Sequence, residues 1–306
     1  MKTPKWFLKK NIIACALLPF AGMYYVVSRG VFRMRERHPL QSRRPIICVG
    51  NILAGGVGKT PIVRQIAEFF DAPVVMRGYK KSNATNNIGD EALMLARGGL
   101  NVHTGDRKSN IVLLNKQKQT TPIVMDDGFQ NPSIKKDISV IVVDSEFGFG
   151  NGFLLPAGPK REPVSALRRA DAIIVIKSNN EKNLLLPAGI PVFYAENTTV
   201  SPYEVGEKLV AFAGIGYPEK FFRRLQNVVA RVPYPDHYQY TDADIKKLLD
   251  LAARHNAKLV TTEKDWVRLP TNVQKKIKYA PLETKIEDRF FVWLKEKLNG
   301  DFQEKN

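Results

Sequence analysis

Between Val49 and Pro61 the chain reads VGNILAGGVGKTP, with a short apolar run, PIICV, just before it and a helical stretch, VRQIAEFF, just after. Strand, glycine-rich loop and helix in that order form a phosphate cradle. Backbone N–H groups surround the phosphates at the helix N-terminus, a lysine reaches the β and γ phosphates, and a hydroxyl serves Mg2+. The pattern predicts that Gly50, Asn51, Ile52, Leu53, Ala54, Gly55, Gly56, Val57, Gly58, Lys59 and Thr60 wrap a nucleotide, with Lys59 on the transferring phosphate and Thr60 on the metal. One position departs from GxxxxGK[ST]: Leu53 stands where that motif opens on glycine.

A phosphate loop of this kind needs a carboxylate at the end of a neighbouring strand to hold the metal. The run TPIVMDDGFQ ends its apolar part in Asp126 and Asp127. By themselves two acids after a strand make a solvated turn, but with the loop upstream they are expected to serve Mg2+. No Asn-Lys-x-Asp guanine signature occurs, and TEKD at 262–265 has the wrong order, so ATP is the expected phosphoryl donor.

The elements that must position these groups follow from apolar periodicity. Short runs rich in Val and Ile at 45–50, 73–77, 121–126, 138–144 and 171–177 alternate with amphipathic stretches, the mark of a parallel sheet covered by helices on both faces. A second series begins with KLVAFAG at 208–214 and continues through 230–232, a helix from Thr241 to about His255, and KLVTT at 258–262. Thr241 followed by Asp244 predicts a capping box. Between the series, 179–202 is polar except for PVFYAE at 191–196, which marks a junction. The predicted organisation is a membrane-associating segment at 1–40, a P-loop NTPase-like parallel-sheet domain at 41–200, and a smaller α/β domain at 201–306 that closes an active-site cleft.

The chain has 306 residues, 44% hydrophobic and 25% charged, which excludes a small stapled scaffold, a disordered chain and a multi-pass membrane protein. Two cysteines, Cys15 and Cys48, cannot build a disulfide framework or a thiolate zinc site, and point to a reducing, cytosolic setting. The net charge of +17 is uneven: residues 1–45 hold ten Lys or Arg and a single acid, Glu36. These cations bracket an uncharged run, NIIACALLPFAGMYYVV at 11–27, whose 17 residues reach about 25 Å as a helix against a hydrocarbon core of about 30 Å. Anionic lipid is therefore the expected partner. Whether the run spans or lies on the membrane stays open, and a buried core helix or a cleaved signal peptide are the other readings of such a segment.

With these residues in place the chain resembles the tetraacyldisaccharide 4′-kinases, which phosphorylate a lipid A precursor. The resemblance rests on VGN…GGxGKTP, MRGY at 76–79, GDEA at 89–92, GDR at 105–107, DDGFQ at 126–130, FGNG…LPAGPKREP at 149–163, AGIGYPEKFF at 213–222, PDHY at 235–238 and TTEKD at 261–265. It implies ATP- and Mg2+-dependent transfer to the 4′-hydroxyl of tetraacyldisaccharide 1-phosphate, giving lipid IVA at the cytoplasmic face of the bacterial inner membrane. It also implies that Asp90 is the general base, that His237 is its partner from the second lobe, and that Asp126 and Asp127 are the metal-side acids. Arg77, Tyr79 and Glu91 are then substrate-side contacts, and Arg107, Arg161 and Glu162 substrate-side or phosphate-side ones, although Glu91 also suits the first turn of a helix for its charge alone. The chain departs from the family pattern at Lys80, Asn131 and Lys160.

Two readings of other classes compete. A membrane-associated P-loop ATPase without lipid kinase activity would hydrolyse ATP and label no lipid. A nucleic-acid binder exploiting the positive charge is not expected, because aromatic and basic residues are not interleaved in the body of the chain and no recognised binding module occurs.

Overall fold

The computed structural model describes residues 4–77 and 89–303. The chain divides into two compact units. One comprises Pro4–Gly78, Gly99–Glu196 and Lys285–Asn306; the other comprises Tyr79–Gly98 and Asn197–Thr284.

The larger unit opens on two helices, α1 (Ile12–Ala16) and α2 (Leu18–Glu36). Asn11 caps α1 by accepting the Ala14 N–H at 2.9 Å, and Pro19 falls in the first turn of α2, where its missing N–H costs nothing. The predicted continuous run is thus broken at Leu17, and no helix of the described chain is long and apolar enough to cross a membrane.

Then come β1 (Ile46–Gly50), α3 (Lys59–Phe70) and β2 (Val74–Met76). The excursion into the other unit follows, containing α4 (Asp90–Arg97). Returning, the chain forms β3 (Val102–Thr104), α5 (Arg107–Asn115), β4 (Ile123–Asp126), β5 (Ile138–Asp144), β6 (Ala172–Ile176) and β7 (Val192–Thr199). The predicted strands of the first series are all present, and β3 is an addition.

The strands of the larger sheet lie in the order β7-β6-β5-β1-β4-β2-β3, with parallel pairing throughout this series. Every residue of β1, β2, β4 and β6 is buried, which is why these strands read as unbroken apolar runs: a parallel sheet with both faces covered leaves no side for polar residues. One face packs Ile46, Cys48, Ile111, Leu114, Met125 and Ile173 into a single core.

The smaller unit contains β8 (Leu209–Ala213), α6 (Pro218–Phe222), β9 (Val228–Pro233), α7 (Asp242–Arg254), β10 (Lys258–Thr262), α8 (Glu263–Trp266), α9 (Thr271–Gln274) and β11 (Lys278–Ala280). Its four strands are ordered β11-β10-β8-β9, all parallel. Alternation along β8 divides its core in two, with Val210 and Phe212 facing α7 and Leu209, Ala211 and Ala213 facing α6. The capping box predicted at Thr241 and Asp244 is formed.

The chain returns to the larger unit along β12 (Leu282–Ile286), which adds beside β7 at the edge of the large sheet, and ends in α10 (Asp288–Gln303). The architecture is therefore α/β with a large, mostly parallel sheet and a smaller parallel one. Three segments group differently from the predicted domains, the first being residues 4–40, which belong to the larger unit. Helix α4 lies with the second unit, since it packs on α8 and its Arg97 covers the Trp266 ring at 5.2 Å. Helix α10 lies with the first, since Phe290 and Trp293 pack on Phe193, and Phe291 on Phe69 of α3.

Candidate functional site

In the larger unit the glycine-rich loop leaves β1 at Gly50 and enters α3 at Lys59. A Cβ on Gly50 would come within 2.6 Å of the Phe129 Cβ, so only glycine lets the DDGFQ turn approach this closely. Gly58, immediately before α3, has φ 79°, the left-handed region that side chains avoid. Leu53, the departure from the motif, is 2% exposed and bridges Lys160 in antiparallel fashion. Around it, Ala54 N–H donates to Pro159 O and Arg161 N–H to Ile52 O, both at 2.7 Å. The LPAGPKREP segment thus holds this part of the loop extended, and an extended residue has no need of glycine. Burial lowers the pKa of Lys160.

Strand β4 delivers Asp126 and Asp127 to the same place. Asp126 is 3% exposed, and Asp127 bends the chain away from the strand with φ 51°, a left-handed conformation that Asp tolerates better than most residues. The Asp127 N–H still bonds Val49 O of β1 at 2.9 Å. Its carboxylate meets Lys59 Nζ at 3.3 Å and Arg161 Nη1 at 2.9 Å. Burial alone would raise its pKa, but the Lys59 and Arg161 charges outweigh burial and hold it below the usual carboxylate range.

Arg107 donates to the main-chain carbonyls of Asp126 (2.8 Å) and Asp127 (3.1 Å), bracing the turn from α5. Gln130 donates to Asn51 O at 2.7 Å. The Asn51 side chain is fully buried, and its amide has no hydrogen-bond partner among the described residues. A buried polar group in that condition is costly unless a ligand completes it. Glu162 pairs with Arg169 at 2.5 Å, and that guanidinium stacks between Phe32 and Phe129, 4.7 Å from each ring centroid.

In the smaller unit Asp90 opens α4, and Gly89 precedes it in extended conformation. His237 reaches it across 147 positions, with Nδ1 3.2 Å from Asp90 Oδ2. The sequence expectation put these two residues in different lobes; they lie in the same compact unit. His237, like Asp127, has a left-handed backbone, φ 59°, and its N–H bonds Gly214 O at 3.1 Å.

Arg268 joins them. Its Nε donates to Asp90 Oδ2 at 2.7 Å, while Nη1 donates to Gly214 O and Asp265 Oδ1, both at 3.1 Å. Burial would raise the Asp90 pKa, but the His237 hydrogen bond and the Arg268 charge prevail and keep it low. Asp265, at 0% exposure, also accepts from the Gly214 N–H and the Tyr240 hydroxyl at 3.0 Å each.

Other predicted residues stand apart from these clusters. Glu91 pairs with Lys264 at 3.4 Å, in the first turn of α4. Arg77 is exposed just after β2, and Tyr79 and Lys80 lie outside the described residues. Asn131 closes its own turn, its side-chain oxygen accepting from Ser133 N–H and Oγ. Sequence reasoning missed Arg268 and Asp265. The motif TTEKD flagged the neighbourhood, but a charged run after a strand gives no sign that its Asp265, and Arg268 three residues further on, are buried.

A family model described as tetraacyldisaccharide-1-P 4′-kinase matches residues 13–299. Curated relatives of the name tetraacyldisaccharide 4′-kinase include one from Phenylobacterium zucineum, 37% identical with 94% of this chain and 96% of the relative covered. Another, from Rhodospirillum rubrum, is 40% identical with 88% and 89% covered. The crystal structure of LpxK from Aquifex aeolicus in complex with ATP shares the fold, with a TM-score of 0.74, 24% identity, and 95% of this chain and all of that one covered. A match over nearly the whole length, to the family model and to curated relatives alike, means that the chain belongs to the tetraacyldisaccharide-1-P 4′-kinase family and is a phosphotransferase.

Proposed function

We propose that the chain transfers the γ-phosphoryl group of ATP to the 4′-hydroxyl of tetraacyldisaccharide 1-phosphate in lipid A biosynthesis, with phosphate chemistry in the larger unit and proton acceptance in the smaller. The observation that carries the reading is the cluster of Lys59, Asp127 and Arg161 around the glycine-rich turn into α3, which brings two cations and a carboxylate to the N-terminus of a 12-residue helix. Gly50 to Thr60 wrap the nucleotide phosphates, and the buried, unpartnered Asn51 amide suits a ligand there.

The donor set suits Mg2+. Thr60, Asp126 and Asp127 offer hard oxygens, the ligand type Mg2+ takes alongside substrate phosphates and water. Bound there, Mg2+ would neutralise charge on the transferring group.

Lys59 and Arg161 act on the same charge from the protein side. Arg107 fixes the turn that carries both acids. Asp90 takes the proton of the attacking hydroxyl, with His237 beside it. An acid of low pKa is adequate for this role, because a loose phosphoryl-transfer transition state asks little of the base until bond formation is advanced. Arg77, Tyr79, Glu91 and Glu162 are assigned to the substrate side.

The acyl chains place the reaction at an anionic membrane surface. Supporting this are the exposed apolar residues Ile12 (88%), Met23 (62%), Val26 (70%) and Val27 (60%), set among the basic residues of the N-terminal segment. Helices of this kind lie in the headgroup region of an anionic surface, here proposed to be the cytoplasmic face.

Purified protein incubated with γ-labelled ATP, Mg2+ and the disaccharide 1-phosphate lipid should place label on the lipid; ATP hydrolysis with unlabelled lipid would overturn the reading in favour of an ATPase. Deleting residues 1–30 should abolish flotation with anionic vesicles while ATP binding persists, and equal flotation would move the membrane contact elsewhere.

A further inference from the structure

Arg268 is an unusual residue for the place it occupies. Its side chain is 1% exposed, yet it carries a charge that burial strongly disfavours unless it is paired. The pairing draws on three distant positions, Asp90, Gly214 and His237, and on Asp265 three residues away. Nε serves Asp90 at the start of α4, Nη1 serves both Gly214 O beyond β8 and Asp265 of α8, and Nη2 lies 3.3 Å from Nδ1 of His237. A guanidinium has only donors in a rigid fork, so these positions fix its plane. Asp265 anchors the far end, itself held by the Gly214 N–H, Tyr240 and Thr262.

The fork has two chemical consequences. Both contacts to the Asp90 carboxylate, from Arg268 and from His237, fall on Oδ2; among the described residues no hydrogen bond falls on Oδ1. Nδ1 of His237 also faces two incompatible demands. It must carry a proton to donate to Asp90, and must lack one to accept from Arg268 Nη2. Nδ1 therefore serves only one of these two partners at a time.

We infer that Arg268 is the positioning residue of the proton-accepting pair: by occupying Oδ2 of Asp90 from behind it leaves Oδ1 as the atom that takes the hydroxyl proton. The inference rests on the reading that Asp90 is the base. In the step, the O–H bond of the acceptor sugar breaks as its oxygen bonds the γ-phosphorus, the bond from that phosphorus to the β,γ-bridging oxygen breaks so that ADP leaves with the electron pair, and the proton passes to Oδ1 while Oδ2 stays bonded to Arg268. Besides Arg268 and His237, the charged groups around Asp90 are Lys264 and Glu91 on α8 and α4, and Asp236, 3.9 Å from the far nitrogen of His237.

The test compares Arg268→Gln, Arg268→Lys and Asp90→Asn by kcat, KM for ATP, the pH profile of kcat, and thermal melting. In Arg268→Gln, kcat should fall about 10- to 100-fold with KM for ATP kept, and the acid limb should move to higher pH because Asp90 loses the cation that favours its ionised form. Arg268→Lys keeps a charge but not the fork, so its limb should stay near the wild-type position while kcat still falls about tenfold. The lysine variant also covers the case in which the glutamine variant fails to fold around Asp265. A merely structural role would lower the melting temperature and leave kcat and the limb of the folded enzyme unchanged; that result, or wild-type kcat in Arg268→Lys, overturns the inference. Wild-type kcat in Asp90→Asn would instead overturn the reading of Asp90 as base, whatever Arg268 does.

Discussion

Asp127 and Asp90 are both aspartates at the edge of a helix or strand, similarly covered at 14% and 13% side-chain exposure, and both held below the usual carboxylate range by two basic neighbours. Their neighbours differ. Lys59 and Arg161, around Asp127, are 12% and 23% exposed and reach it from a glycine-rich turn and a surface segment. Arg268, behind Asp90, is 1% exposed and locked by Asp265. The first cluster is built of partners that an incoming phosphate can attract away, because water already reaches them. The second is a permanent fixture whose charge is neutralised inside the protein. An exchangeable ion pair suits ligand capture, and a fixed one suits holding a single atom in place.

The largest effect should come from breaking the exchangeable side. Lys59→Ala removes the ammonium proposed to meet the transferring phosphate and should lower kcat about 1,000-fold with the melting temperature nearly kept. Turnover and melting measured on one sample check this, and near-normal turnover would sink the phosphate-loop assignment.

Next in size is the fixed side. Asp90→Asn should lower kcat about 100-fold or more with little change in KM for ATP, and His237→Ala should act in the same direction by less. If the pair is one unit, the double variant is scarcely worse than Asp90→Asn alone; fully multiplicative losses would show two independent residues.

The two clusters also differ in how much the sequence reveals. The glycine-rich loop is local, so VGNILAGGVGKTP can be read from its own spacing, and the strands around it from runs of buried apolar residues. The leucine at 53 looked like a defect because its partner, Lys160, is more than a hundred positions away in the chain. Asp90 and His237 could be paired only through resemblance, and Arg268, 178 positions from Asp90, left no mark in composition or period. The strands that escaped notice are of two kinds. β3 and β11 have only three residues each, and β12, LETKI, alternates exposed and covered positions at a sheet edge, a pattern easily taken for a polar loop. The placement of α4 and α10 also depends on tertiary packing, of Arg97 on Trp266 and of Phe290 on Phe193, which no local window contains.

A smaller, shared effect is expected on lowering pH. For each aspartate the folded pKa lies below its unfolded value, so its stabilising contribution is complete above the unfolded value of about 3.9 and is lost as pH falls through the folded one. The share of the melting temperature that these two aspartates contribute should therefore be level above about pH 5 and decline below it. Replacing either aspartate by Asn should flatten that decline, and an unchanged slope in both variants would show that neither carboxylate is held low.

The smallest effect sharpens the comparison within the smaller unit itself. Glu91 sits one residue from Asp90, yet its partner Lys264 is 21% exposed and Glu91 itself 37%, so the pair is solvated where Asp90 and Arg268 are not. Such pairs contribute about 0.5 kcal/mol, since water screens the attraction and two flexible side chains must be ordered. The helix dipole adds a little, because Glu91 lies in the first turn of α4. Glu91→Gln should therefore barely change the melting temperature, and salt should erase even that change, because an exposed pair is screened within about a Debye length. A substrate-side Glu91 makes a second demand: KM for the disaccharide lipid should rise in the Gln variant while KM for ATP stays fixed. If both KM values hold steady, Glu91 only decorates the helix start, and the functional work of this end of α4 falls to Asp90 alone.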